Sequence, residues 1–151
     1  MRLSAKADYA LRAAIELAAH PETHVKMDRI AAAQEIPLRF LEHILLELKH
    51  AQIVESRRGA EGGYRLARAP EELSLADVVR AVEGPLANVR GEAPEALAYP
   101  GHAEKLQDVW IALRANIRGV LEQVTLADLA RGELPPHVDE LTHDADAWTR
   151  R

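Results

Sequence analysis

The chain has 151 residues, about one domain, and 48% of them are hydrophobic, so it can form a buried core. Only 4% are aromatic and Ala occurs 27 times, which favours an aliphatic, helical fold. The absence of Cys excludes disulfides, thiolate nucleophiles and thiolate-held metal centres. Since no apolar stretch has membrane-spanning length and no signal peptide is recognisable, we expect a cytoplasmic protein without a membrane partner.

The formal net charge of −5 is distributed unevenly along the chain. Residues 1–66 carry ten Lys and Arg against nine Asp and Glu, whereas residues 67–151 carry nine against fifteen. Residues 57–68, with four Arg and one Glu, form a local basic segment. Because phosphates respond to the local field, this segment is compatible with nucleic-acid binding despite the acidic total.

Three helices are predicted in the first third of the chain. Apolar residues recur every three to four positions over 3–19, which is typical of an amphipathic helix. Residues 28–34 predict a short helix with Asp28 as its N-cap, and residues 38–51 predict a longer one after a tight turn. The inner face of this third helix is predicted to consist of Leu41, Ile44, Leu45 and Leu48.

The periodicity then changes to that of a β-hairpin. Residues 53–56 and 64–66 predict two short antiparallel strands, joined by a glycine-rich turn over 57–63. The order of these elements indicates a winged helix-turn-helix. It consists of a short helix, a tight turn, a longer helix and an arginine-bearing hairpin. Such a module can place a helix in the major groove of DNA and hairpin arginines in the minor groove.

The second half of the chain is predicted to be helical on both sides of a loop. Ser74–Asp77 is similar to a capping box and starts a helix that ends at Gly84. Residues 86–101 lack a period and predict a loop, with one helical turn at 95–98.

The longest helix is predicted over residues 102–124, and a short helix capped by Thr125 follows and ends at Gly132. An a/d-like apolar stripe on the long helix indicates a partner helix, although part of it can pack within its own chain. The stripe consists of Leu106, Val109, Trp110, Leu113, Ile117, Val120, Leu121 and Val124. The acidic residues 133–151 predict a flexible tail.

A family resemblance is carried by four stretches of the sequence. They are MRLSAKADYALR at the start, RGAEGGYRLAR over 58–68, LADVV over 75–79 and TLADL over 125–129. Together with Phe40-Leu41-Glu42 and Trp110, they make residues 1–132 similar to the Rrf-two family of bacterial regulators, of the IscR, NsrR and CymR type. The resemblance implies a mainly α fold with a small β-hairpin. Residues 1–85 would form the winged helix-turn-helix DNA-binding domain, 86–101 a sensor-like loop and 102–132 the dimerisation region.

The function that this resemblance implies is that of a homodimeric transcriptional regulator, usually a repressor, and not an enzyme. Its partner would be a near-palindromic operator in double-stranded DNA. Glu42 matches the family's recognition-helix acid, which reads cytosine, and Arg58 matches the wing arginine that enters the minor groove. The other predicted DNA contacts are Arg2, Lys6, Arg39, Phe40, His43, Lys49, Arg57, Gly59, Gly62 and Gly63.

The sensor loop departs from the family. Well-known members hold an iron–sulfur cluster through three Cys in the loop that corresponds to residues 86–105, where this chain has none. We therefore expect no iron–sulfur cluster, and no spacing of His and carboxylates predicts another metal site or catalysis. A polar pocket that includes Tyr99, His102, Glu104 and Asp108 beside Trp110 is a candidate site for an unknown small-molecule effector.

Two alternatives remain open from the sequence. The first is a regulator whose C-terminal half senses a small molecule, which a ligand-dependent thermal shift would support. The second is a winged-helix module that binds a protein instead of DNA, for which the negative net charge is the only support.

Overall fold

The computed structural model describes residues 2–150, in which seven α-helices accompany one two-stranded sheet. The fold is mainly α with a small β-hairpin, as the sequence predicts. The helices are α1 (Ala5–Ala18), α2 (Met27–Gln34), α3 (Leu38–His50), α4 (Leu75–Glu83), α5 (Leu106–Leu121), α6 (Leu126–Ala130) and α7 (Pro136–Thr142). The strands are β1 (Val54–Arg57) and β2 (Gly63–Leu66).

Helix α1 lies at the centre of the fold and packs against α2, α3, α4, α6 and β2. It begins after Ser4, whose Oγ accepts a hydrogen bond from the backbone N–H of Ala7 at 3.0 Å. All but one of the side chains that it buries are methyl groups, because they belong to Ala7, Ala10, Ala13, Ala14, Leu17 and Ala18. These small side chains let the neighbouring helices approach closely.

The α2–turn–α3 unit confirms the predicted helix-turn-helix. Helix α2 ends at Glu35, which has a left-handed backbone (φ 53°), and the turn buries Ile36 before α3 begins. The predicted inner face of α3, Leu41, Ile44, Leu45 and Leu48, is fully buried. The expected cap of α2 is wrong, since Lys26 is the N-cap and Asp28 lies in the first turn. The preceding Val25 is held in an extended conformation by β2, so the helix starts directly after it.

The hairpin has a register in which Val54 pairs with Leu66 and Arg57 with Gly63. Val25 adds one further pairing on the other side of β2, through two backbone hydrogen bonds to Tyr64 of 2.7 and 2.8 Å. This pairing ties the hairpin to the start of α2, so the wing and the helix-turn-helix are one unit.

Two capping boxes fix the second half of the chain. Ser74 with Asp77 starts α4, as predicted, and Thr125 with Asp128 starts α6. The two caps also pair with each other, because Leu75 N–H donates to the carbonyl oxygen of Val124 at 3.0 Å. Val124 is thereby buried within its own chain beyond the end of α5, which corrects its assignment to the dimerisation stripe.

Helix α5 is shorter than the predicted 102–124. Gly101 has φ 57° and starts a single 3-10 turn, so the continuous helix begins only at Leu106. The helical turn expected at 95–98 is a 3-10 turn at Pro94–Ala96. None of the residues of α5 is buried.

The C-terminal segment contains structure that the sequence does not predict. Helix α7 buries Val138, and His137 Nε2 lies 3.2 Å from the carbonyl oxygen of Gly119 on α5. Flexibility of residues 133–151 stays a prediction. Within residues 2–150, no helix combines the length and the apolar character that crossing a bilayer requires.

Candidate nucleic-acid interface

The outer face of α3 begins next to the turn and carries four predicted DNA contacts, Arg39, Phe40, Glu42 and His43, all exposed. Phe40 packs against Tyr9 of α1, with ring centroids 5.9 Å apart, and the Arg39 guanidinium lies 4.9 Å above the Phe40 ring. This stack orients Arg39. The Glu42 carboxylate makes no hydrogen bond or ion pair with any residue from 2 to 150, so it is available to a base edge.

The wing tip presents Arg57 and Arg58 to solvent, and neither side chain has an ion-pair partner within the described chain. Gly59 follows them at the turn, with φ 99° and open space around its Cα. Lys26 Nζ donates a hydrogen bond to the Gly59 carbonyl oxygen at 2.9 Å. The tip is therefore held against the start of α2.

Gly62 and Gly63 have an internal role in the wing. A Cβ at residue 62 would lie 2.1 Å from the carbonyl oxygen of Arg57, and a Cβ at residue 63 would lie 2.5 Å from that of Val25. Both glycines are therefore needed for close backbone contacts within the wing itself. These internal contacts explain Gly62 and Gly63 more directly than the predicted approach of their backbone to DNA does.

Lys6 and Lys49 have partners of their own, whereas Arg2 lines a cavity together with residues of α4 and α5. Lys6 forms an ion pair with Glu47 of α3 at 3.3 Å, and Lys49 Nζ donates to Ser56 Oγ at 2.7 Å. Arg2 is exposed at the start of the chain. Lys6 and Lys49 thus link α3 to α1 and to β1 while remaining accessible.

Sequence reasoning missed two exposed cations beside the wing, Lys26 and Arg29. They extend the basic surface from the wing tip to the first turn of α2. The pairing of Val25 with Tyr64 and the hydrogen bond from Lys26 to Gly59 bring them there, and both contacts join segments far apart in the sequence. The local sequence offers one signal for this part of the surface, the basic residue Lys26 close to the predicted start of α2.

The residues of the predicted dimerisation stripe on α5 differ in exposure and form three groups. Ile117 and Leu121 pack within the chain against Ala76, Val79 and Leu86. Leu106, Trp110 and Val120 are half-buried, and Trp110 Nε1 donates to Tyr99 Oη at 3.0 Å. Val109 is 54% exposed and Leu113 38%, and Ile111, which was not predicted, is 36% exposed.

Comparison with known proteins decides the family. A family model named Rrf2 and described as an iron-dependent transcriptional regulator matches residues 3–132. The chain belongs to the Rrf2 family. A Mycobacterium tuberculosis protein named as an HTH-type transcriptional regulator is 54% identical over 145 residues, covering 95% of this chain and 90% of that protein.

Solved Rrf2 structures have the same fold. The structure of CymR from B. subtilis, titled the global cysteine regulator, aligns with a TM-score of 0.74 and 33% identity, covering 87% of this chain and 97% of CymR. T. potens IscR aligns with a TM-score of 0.69 and 29% identity, covering all of this chain (100%) and 93% of IscR. Family membership confirms that the chain is a DNA-binding transcriptional regulator with a winged helix, and not an enzyme.

The donor atoms of this Rrf2 chain do not fit an iron–sulfur cluster. It has no Cys, and residues 2–150 contain no group of three or more His, Asp or Glu placed to hold a metal ion. Asp8 of α1 is paired with Arg12 at 2.9 Å. In the sensor loop, Glu95 is paired with Arg114 at 2.5 Å. Asp8 and Glu95 thus form ion pairs with arginines, and the thiolates that would hold a cluster are missing.

Proposed function

We propose that this protein is a homodimeric Rrf2 repressor that binds a near-palindromic operator without an iron–sulfur cluster. The observation that carries the proposal is the set of exposed side chains without ion-pair partners on the outer face of α3 and on the wing tip. Glu42 and Arg39 extend from α3, and Arg57 and Arg58 extend from the wing. Basic and hydrogen-bonding groups without internal partners on a winged helix suit a nucleic-acid ligand.

Each part of this surface suits one groove. In the proposed complex, the Glu42 carboxylate accepts a hydrogen bond from cytosine N4 in the major groove. Arg58 enters the adjacent minor groove, whose negative potential favours a guanidinium. Lys26, which holds the wing tip from the α2 side, lies where a neighbouring phosphate would be neutralised.

The dimer is supported by the exposed apolar side of α5. Val109 and Leu113 are four residues apart and therefore share one side of α5, and contact of their exposed apolar surface with a second copy would lower the free energy, since burial of apolar surface is favourable. A twofold dimer would present two α3 helices to two half-sites, which explains the expected dyad in the operator. Because the target is chromosomal DNA, we place the protein in the cytoplasm.

The test is affinity selection of sheared genomic DNA by the purified protein, with its iron content measured on the same sample. We expect one dyad-symmetric motif from an iron-free sample, and weaker recovery of the same motif by an Arg58→Ala variant of unchanged oligomeric state. A motif recovered only from an iron-loaded sample would overturn cluster independence. A folded dimer that selects no motif would favour the protein-binding alternative.

A further inference from the structure

An arginine-lined cavity lies between α4, α5 and the sensor loop. Its volume is about 540 Å³, which is within the usual size of small-molecule sites. Arg80 of α4 and Arg114 and Arg118 of α5 line it together with Asn88 and Glu95 of the loop. Arg114 and Arg118 are four residues apart and therefore lie on one side of α5.

The cationic groups in this cavity outnumber the anionic ones. Glu95 pairs with Arg114, and Glu122 is shared by Arg80 and Arg118, so three guanidinium groups face two carboxylates. This local excess of positive charge stands out because residues 67–151 as a whole carry nine Lys and Arg against fifteen Asp and Glu. An excess guanidinium in a concave site favours an anionic ligand.

Arg114 is the most enclosed of the three arginines. Its side chain is 16% exposed, yet among residues 2–150 its guanidinium forms a hydrogen bond only through Nη1, to Glu95. A guanidinium has five N–H donors arranged for bidentate binding of a carboxylate or a phosphate. The remaining donors of Arg114 and those of Arg118, which is 48% exposed, can serve such a ligand.

We propose that this cavity binds a small molecule through its carboxylate or phosphate group, as the effector site of the regulator. The ligand's oxyanion takes the position of the Glu95 carboxylate on Arg114 and also contacts Arg118. This assignment rests on the proposed regulatory function and gives it a ligand class.

The position of the cavity explains how such a ligand would act. The sensor loop is held to α5 by the Glu95–Arg114 pair and by Gln107 Nε2, which donates to the carbonyl oxygens of Pro94 and Glu95 at 3.2 and 3.3 Å. Displacing Glu95 releases one of these two attachments. Arg80 lies on α4, which packs against α1 and α3, and it is joined to Arg118 through Glu122, so a ligand on Arg114 and Arg118 acts next to the link between α5 and the DNA-binding helices.

The protein contains a fluorescent reporter, Trp110, for ligand binding in this cavity. Trp110 lies one helical turn before Arg114 on α5, and the second Trp of the chain, Trp148, is removed by Trp148→Phe. We would titrate the full-length Trp148→Phe protein, without DNA, with inorganic phosphate or succinate, using chloride at matched ionic strength as the reference. We expect a saturable change with at least one of the two oxyanions and none with chloride.

Three variants make the test specific. Arg118→Gln should weaken oxyanion binding about tenfold, because a charge-assisted hydrogen bond is lost. Glu95→Gln should strengthen it about threefold to tenfold, because the competing carboxylate is removed. Arg131→Gln is the matched control, since Arg131 is 50% exposed and paired with carboxylates outside this cavity. A gain of affinity in Glu95→Gln cannot come from misfolding.

The outcomes separate the ligand classes and test the site. A response to phosphate alone assigns a phosphorylated effector, and a response to succinate alone assigns a carboxylate. Equal responses to the oxyanions and chloride, or equal effects of Arg118→Gln and Arg131→Gln, would overturn the site. Because the titration contains no DNA, its failure is independent of whether the protein selects an operator.

Discussion

The backbone of Gly63 lies so close to that of Val25 that a Cβ at residue 63 would be 2.5 Å from the Val25 carbonyl oxygen. Gly63 also has φ 140°, which disfavours any other residue. Gly63→Ala should therefore separate the wing from the start of α2 and lower the free energy of unfolding by about 3 kcal/mol.

Gly59→Ala is the control for this prediction. Gly59 also has positive φ, but no atom lies within 4 Å of a Cβ built there. Its substitution should cost only about 1 kcal/mol. Urea denaturation of both variants measures the difference, and equal losses of stability would contradict the importance of the Gly63–Val25 contact.

Arg58→Ala should weaken DNA binding at every sequence and lower the slope of log K against log salt by about 0.9, the value for one phosphate equivalent. Arg68→Ala is a matched control, because Arg68 is also exposed but follows β2 at the other end of the hairpin. Anisotropy titrations at several salt concentrations measure both. If the two variants behave alike, the wing tip is not the contact point.

Glu42→Ala should change specificity more than affinity. Loss of an acceptor for cytosine N4 removes about 1–3 kcal/mol of discrimination at one base pair of each half-site. Motif selection with the variant should show relaxed preference at that position alone. Glu140→Ala on α7 provides an exposed carboxylate control that should keep the parent motif. An unaltered motif from Glu42→Ala would refute its role in base reading.

Leu113→Glu should dissociate the proposed dimer. A charge without a partner in an apolar interface costs enough free energy to weaken association by about a hundredfold. Leu141→Glu is the control, since Leu141 is an exposed Leu on α7, outside the α5 face. Sedimentation equilibrium distinguishes monomer from dimer, and a dimeric Leu113→Glu variant would place the interface elsewhere.

Acidification should remove one of the two attachments of the sensor loop to α5, the Glu95–Arg114 ion pair. A hydrogen bond from its own backbone, together with one from Arg114, holds the pKa of Glu95 below its ordinary value of 4.5. Its stabilising effect is therefore complete above the ordinary value and is lost as pH falls through the lowered pKa. Trp110 fluorescence in Trp148→Phe should report this transition, and Glu95→Gln should abolish it. A transition that persists in Glu95→Gln would have another origin.

Local sequence signals were sufficient for most of the elements. Helical periodicity identified the buried face of α3, and the Ser74 and Thr125 capping boxes placed the starts of α4 and α6. These features depend on residues within one or two turns of each other. The recognition-face residues Arg39, Phe40, Glu42 and His43 followed from the family resemblance, and each of them is exposed.

The features that the sequence did not predict depend on contacts between distant segments. Val124 continues the apolar stripe of α5 in sequence, but its carbonyl oxygen accepts from Leu75, and it is buried in the chain's own core. Val25 pairs with Tyr64 through an isolated bridge, and a single bridge produces no periodic pattern in the sequence. The arginine-lined cavity likewise joins α4 to α5, and Arg80 and Arg114 are ordinary surface residues in the linear pattern.

The methyl-lined face of α1 limits how the molecule can transmit a signal. Alanine side chains have no χ rotamers, so a neighbouring helix that shifts against them finds no alternative side-chain packing. A displacement of α4 must then move α1, and with it α3, as a rigid body. Regulation in this protein would accordingly change the separation and tilt of the two reading helices in a dimer, while the shape of each reading surface stays constant.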